Sequence, residues 1–318
     1  MDWEALKLEV RQLLDEKDAV LMVHNYQRPE IQDVADELGD SLALCQKAQQ
    51  VDRDRIVFCG VDFMAEAAKI LNPSKVVHHP DLDSVCPMAH MVDTEGLKML
   101  QEQKPDAVTV SYINTSSEVK ALTDICCTSA NAVDVVRATG ASEIIFTPDT
   151  NLGMWIKRKL PEVEMHFWPG YCPTHMLITV PILKQMRAEH PEAEILAHPE
   201  CTPDVIDFSD GCFSTEGMIK YAARSPAKEF IVASERDMAY RLHLAHPEKT
   251  FHPVSIAVCP NMKKITLQKV RDSLKHDKGI VELDEDLMDA ARRPLEKMVA
   301  IGRSSFDSGP QEIAAQVA

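Results

Sequence analysis

The chain has 318 residues, 45% of them apolar and 26% charged, and a formal net charge of −16. That length is too great for one small core and suits two or three compact units. The acidic balance argues against nucleic acid or an anionic membrane surface as the main partner. No apolar run reaches the ~20 residues of a membrane span. The expectation is a cytoplasmic protein that works on small molecules.

In chain order, residues 1–18 read as an acidic amphipathic helix and not as a signal peptide, because no basic segment precedes an apolar block. Nine apolar, β-branched runs then predict strands: 19–24, 55–59 and 75–79; 106–112, 143–147 and 163–168; 194–198, 229–233 and 250–258. Helical patterns separate most of them. The grouping predicts an α/β protein of three αβα domains, 19–104, 105–191 and 192–275, each a small parallel sheet with helices, related by a pseudo-threefold axis. Residues 276–318 are expected to form a C-terminal packing helix (283–301) and a tail that is mobile or lies over the first unit.

Spacing turns the grouping into a repeat. Tyr26, Asn114 and Glu200 occupy one equivalent position, with His24, Tyr112 and His198 two residues before them. Ser41, Ser129 and Thr215 lie 15 residues after the first set in every unit, at the starts of helical runs. Asp62, Asp149 and Glu235 align after each second strand. Cys86, Cys172 and Cys259 then follow, each before a proline. Packing alone explains recurring apolar residues, but it explains recurring polar ones poorly. These polar residues fall just past predicted strand ends, where parallel α/β sheets bind ligands.

The chemistry follows from residue types. Nine cysteines in a chain without an export pattern are not expected to form disulfides. Three thiolates from three units make a soft metal site, suited to zinc, copper(I) or an iron–sulfur cluster. Spacing leaves open a cluster or a zinc ion completed by water or His175. Helix starts at Ser41, Ser129 and Thr215 suit carboxylates and phosphates. The histidines, tyrosines and Glu200 suit proton transfer. Cys45, Cys59, Cys126, Cys127, Cys201 and Cys212 fall outside the repeat and read as packing thiols. GxGxxG, GxxxxGK[ST], HExxH and GxSxG patterns do not occur in the sequence.

The ordered motifs HNYQ, GDS, GVDFMAEAAKIL, SYINTS, CTSANA, GYCPTH, AHPEC, STEGMI and CPNMK, between about residues 20 and 275, resemble quinolinate synthase. The resemblance implies condensation of iminoaspartate with dihydroxyacetone phosphate to quinolinate, phosphate and water, on the de novo route to NAD. L-aspartate oxidase or aspartate dehydrogenase would supply the iminoaspartate. It implies a [4Fe–4S] cluster on Cys86, Cys172 and Cys259, acting as a Lewis acid without net electron transfer. It implies a substrate pocket of His24, Tyr26, Ser41, Tyr112, Asn114, Ser129, His175, His198, Glu200, Ser214 and Thr215. Glu200 is expected to be the general base, Tyr26, His198 and Tyr112 its proton-transfer partners, and Lys263 a further positive charge.

Two departures stand out: Val85, where family members often have glycine, and the lack of a cysteine-rich C-terminus. Other three-cysteine cluster enzymes of this plan, which need a reductant, and a non-catalytic metal-binding or iron-sensing protein are the alternatives.

Overall fold

The computed structural model describes residues 3–302, so the expected tail beyond them lies outside the described residues. Helix α1 (Trp3–Glu16) leads into β1 (Ala19–His24), α2 (Pro29–Gln32), β2 (Glu37–Gly39), α3 (Ser41–Ala48), β3 (Arg55–Cys59), α4 (Asp62–Leu71) and β4 (Val76–His78). After α5 (Thr94–Gln103) the plan repeats as β5 (Val108–Tyr112), α6 (Ser117–Ala121), β6 (Ile125–Cys127), α7 (Ala132–Thr139), β7 (Glu143–Thr147), α8 (Thr150–Lys159) and β8 (Glu164–Phe167). After α9 (Val180–Glu189) it repeats again as β9 (Glu194–Ala197), α10 (Pro203–Phe208), β10 (Gly211–Cys212), α11 (Thr215–Arg224), β11 (Glu229–Ala233), α12 (Met238–Ala245) and β12 (Thr250–Pro253). Helices α13 (Leu267–His276) and α14 (Glu285–Ile301) follow.

The protein is α/β, with three parallel sheets of identical order, β2-β1-β3-β4, β6-β5-β7-β8 and β10-β9-β11-β12, forming three αβα units. Each sheet has one strand more than the apolar runs predict. The extra edge strands β2, β6 and β10 span two or three residues, too short to show a period. The last predicted strand ends at Pro253, earlier than its apolar run. Past that point Val254 and Ala257 bury into the third unit from irregular chain.

Alternation along the strands decides the layers. Val20 and Met22 of β1, Val110 of β5 and Val232 of β11 join one apolar core that runs through all three units. Their neighbours face outward, and the helix that covers them comes from elsewhere in the chain. Leu21 and Val23 pack with Leu6, Val10 and Leu14 of α1 and with Leu267, Val270 and Leu274 of α13. Leu97 of α5 packs on Ile145 of β7. Leu183 of α9 packs on Ile195 and Ile231. The helix after each cysteine loop therefore covers the next unit's sheet, and α13, last in the series, returns to the first. Helix α14 then packs on α4, α6 and β6 across the first two units.

In every sheet the connections reverse direction between the two central strands, and ligands bind at the carboxyl ends beside such a switch point. The site residues leave the sheets there.

Leu274 is fully buried. Leu274→Ala is expected to cost about 2–5 kcal/mol, read as a lowered urea midpoint. Hydrogen exchange should speed up in β1, not in β9 or β11, although α13 follows the third unit in sequence.

Candidate active site

His24 ends β1, Tyr112 ends β5 and His198 directly follows β9. Tyr26, Asn114 and Glu200 sit two residues further on. All six line one cavity, together with Ser41, Ser129, Thr215, His175 and the three repeat cysteines. About 70 Å³ of it admits the centres of water-sized molecules, room for several waters. Among the predicted site residues, Ser214 does not line it. Its side chain instead caps α11 by accepting from the Gly217 amide at 3.1 Å.

The cysteine loops are built alike. Each Cys-Pro step enters a 3-10 turn, Met88–His90, His175–Leu177 or Met262–Lys264. Backbone N–H groups of Ala89, His175, and Met262 with Asn261 point at the sulfurs of Cys86, Cys172 and Cys259, respectively. The loop amides are gripped in turn. The Cys86 N–H donates to Asp62 at 2.9 Å and the Cys259 N–H to Glu235 at 3.2 Å. In the middle unit the Cys172 amide also stabilises Asp149, whose short bond goes to the Leu152 amide at 2.8 Å. Val85 needs no glycine-like backbone: it is absent from the residues with positive φ among those described.

The three repeat cysteines are half-buried, and the other six are fully buried packing thiols, including Cys201. Burial, and then the charges of nearby acids and of one another, push the thiols of Cys86 and Cys172 up. Burial likewise raises Cys259. No Lys or Arg is among the lining residues. Three thiolates side by side call for positive charge at the site, and that donor set fits a soft metal group.

Glu200 is the centre of the polar network. Tyr112 donates to its Oε1 at 2.6 Å, and His175 Nδ1 lies 2.8 Å from its Oε2. Burial alone would raise this carboxyl, but His175 and Tyr112 outweigh it and hold Glu200 below the usual range. Cys172 Sγ lies 3.1 Å from the same His175 nitrogen. Cys172 and His175 therefore do not read as a simple chelating pair: the nitrogen nearest the thiol is committed to a carboxylate. His198 stacks on His175 with centroids 4.8 Å apart, and its Nε2 meets Ser129 Oγ at 3.2 Å. Burial lowers His24 to about 4 and His198 to about 3, so both are neutral near pH 7. The Tyr26 and Glu200 amides point at Nδ1 of His24 and His198, respectively, which leaves Nε2–H as the donor of each ring.

The helix starts are less positive than the sequence pattern suggests. Asp40, not Ser41, caps α3, accepting from the Ala43 amide at 2.8 Å, and its carboxylate lines the cavity. Ser129 lies in the turn ahead of α7. Thr215 accepts from Asn25 at 2.9 Å and keeps its own O–H to donate. Lys263 is not a cavity residue. It pairs with Glu235 at 3.0 Å and Asp237 at 2.6 Å and supports the Tyr26 carbonyl. Asp40, Thr128 and Glu235 were missed as lining residues. The repeat carried the signal, since Asp40, Thr128 and Ser214 are equivalent by spacing.

The family model described as "Quinolinate synthetase A protein" matches residues 8–300. The chain belongs to this family. It is 46% identical to a quinolinate synthase of Geobacter metallireducens, covering 95% of this chain and 100% of that one. It is 47% identical to quinolinate synthase 1 of Methanosarcina acetivorans, over 92% and 96%. It is 45% identical to a quinolinate synthase of Aquifex aeolicus, over 93% and 94%. Family membership makes the chain an enzyme. Among the described residues, no helix is long and apolar enough to cross a membrane.

His24 and His198 are harder to protonate in the folded chain than in the unfolded one. The unfolded state therefore binds more protons below about pH 6.5, and stability falls as the pH drops towards about 4. His24→Gln should flatten that fall by up to about 3 kcal/mol, measured from urea midpoints at pH 7 and pH 4.5.

Proposed function

We propose that the protein condenses iminoaspartate with dihydroxyacetone phosphate to quinolinate, phosphate and water in the cytoplasm, with a [4Fe–4S] cluster held by Cys86, Cys172 and Cys259. The observation that carries this reading is the cavity in which one half-buried cysteine from each unit meets the buried Glu200. The nine free cysteines fit a reducing compartment. L-aspartate oxidase or aspartate dehydrogenase is the enzyme proposed to supply iminoaspartate. When bound, the cluster supplies a Lewis-acidic iron that polarises a substrate oxygen.

The chain's own residues supply binding and proton transfer. Asn114 Oδ1 is buried without a protein partner, and Asn114 lines the cavity, so this oxygen accepts from a substrate amine or hydroxyl. Ser41, Ser129 and Thr215 offer hydroxyls, and His24 and His198 offer neutral N–H donors, to carboxylate and phosphate oxygens. Condensation and loss of water both require a proton to leave carbon and another to reach a departing oxygen. Glu200 is ionised and receives the first. Because Tyr112 and His175 already donate to it, its basicity is low, and it works with Tyr112, Tyr26 and His198 in moving protons.

Anaerobic reconstitution with iron and sulfide should give wild-type protein the broad visible absorption of an iron–sulfur cluster and quinolinate formation from the two substrates. Cys86→Ala should fail to assemble a full cluster, and a wild-type yield would remove the three-ligand assignment. Glu200→Gln should keep the cluster and lose at least ~100-fold in turnover; an unchanged rate would take Glu200 out of proton transfer.

A further inference from the structure

The cavity uses the carboxyl ends of the strands. Towards their amino ends the repeat places a second polar trio in each unit. In the first unit Arg55 opens β3, His78 lies on β4 and Asp277 directly follows α13. In the second, Glu143 opens β7, His166 lies on β8 and Lys104 directly follows α5. In the third, Glu229 opens β11, His252 lies on β12 and His190 directly follows α9, each 86 residues beyond its counterpart in the second.

Two of these trios are closed by a permanent cation. Arg55 reaches Asp277 at 2.8 Å and His78 Nε2 at 3.2 Å. Lys104 lies 3.4 Å from Glu143, whose carboxylate also meets His166 Nε2 at 2.7 Å. The third trio has a histidine where the second has its lysine. Among the described residues, no lysine or arginine side chain forms an ion pair with Glu229. His252 Nε2 lies 3.1 Å and His190 Nδ1 3.9 Å from the same oxygen, Oε2.

The two imidazoles stack, with centroids 3.6 Å apart and planes 17° from parallel. Stacking sets one nitrogen of each ring beside the carboxylate, and the three donor atoms lie within 4.8 Å of one another. A tetrahedral zinc ion with bonds of about 2 Å spaces its donors about 3.3 Å apart, so small side-chain rotations suffice to close the trio on an ion. The side chains of His252, His190 and Glu229 are 20%, 32% and 42% exposed, which leaves room for that movement, a path for the ion and a place for water. Two imidazoles and one carboxylate form a donor set for zinc and its neighbours in the first transition row.

We propose that His190, Glu229 and His252 bind a divalent transition-metal ion of the zinc class, with water as the fourth ligand. The ion takes the place that the Lys104 ammonium holds in the second unit and supplies the cation missing from the third. It ties the end of α9 to β11 and β12. No cysteine belongs to this site, and it lies towards the opposite end of the sheet from the three cysteine loops.

The test follows from the repeat. His190→Lys rebuilds the second unit's trio, so it should fold normally. Its urea midpoint without added zinc should match wild type closely, because an exposed ion pair contributes little. Equilibrium dialysis against about 10 micromolar zinc should load wild type with one ion more than His190→Lys, and one more than His252→Gln, for a Kd of about micromolar. The cysteines are the same in all three proteins, so whatever they hold cancels in the difference. Equal zinc counts in wild type and both variants would overturn the site. So would an extra ion that appears only near millimolar zinc, which marks adventitious surface binding.

Hydrogen exchange gives a second readout. Added zinc should slow exchange in β12 and in the last turn of α9 in wild type and leave His190→Lys unchanged. Equal slowing in both proteins, or in neither, also overturns the assignment.

Discussion

Three cysteines on three loops must be held at one place, and carboxylates at the strand ends do much of the holding. Asp62 and Glu235 each take the amide of the cysteine in the following loop, while Asp149 is drawn more to the start of α8. The grip acts on backbone, so it orders the loop and leaves the sulfur free. It also ties each loop to the switch point of its own sheet, the place from which the histidines and tyrosines project. Thiols and acid–base groups thereby share one frame, and a shift in one sheet edge moves both.

The electrostatic character of the cavity follows from the same arrangement. Asp40, Glu200 and Glu235 line it, Lys263 is spent on Glu235 and Asp237, and the two repeat histidines are neutral near pH 7. A site of this kind does not attract anions by its own charge. Hydroxyls and imidazole N–H groups can select the shape of an anionic substrate. In the function proposed above, the balancing positive charge would arrive with the metal group on the three cysteines, and substrate binding and cofactor loading would be coupled through charge as well as contact.

Much of this was legible in the sequence because the chain writes its plan three times. Any one of His24, Tyr112 and His198 is ambiguous alone, and the register they share marks a sheet edge. The same register, with the proline that follows each, picked out the three half-buried cysteines from the six buried ones. What the repeat could not reveal were departures from it. Ser214 caps its helix as the equivalent Asp40 does, but unlike Asp40 it does not line the cavity. Lys263 follows a ligand loop but turns to two acids. The edge strands escaped for a simpler reason, since two or three residues cannot show a period.

The exchange of covering helices has a consequence for how the chain matures. The first sheet is nearly complete once residue 78 is made, yet its outer face awaits α13, almost two hundred residues later. A ribosome that makes the protein from its N-terminus therefore leaves Leu21 and Val23 only partly covered by α1 until synthesis is nearly done. Contacts of such long sequence separation form late and slowly. The first unit, earliest to emerge, is the last to be sealed, and it stays open to helpers or to wrong partners for most of the protein's synthesis.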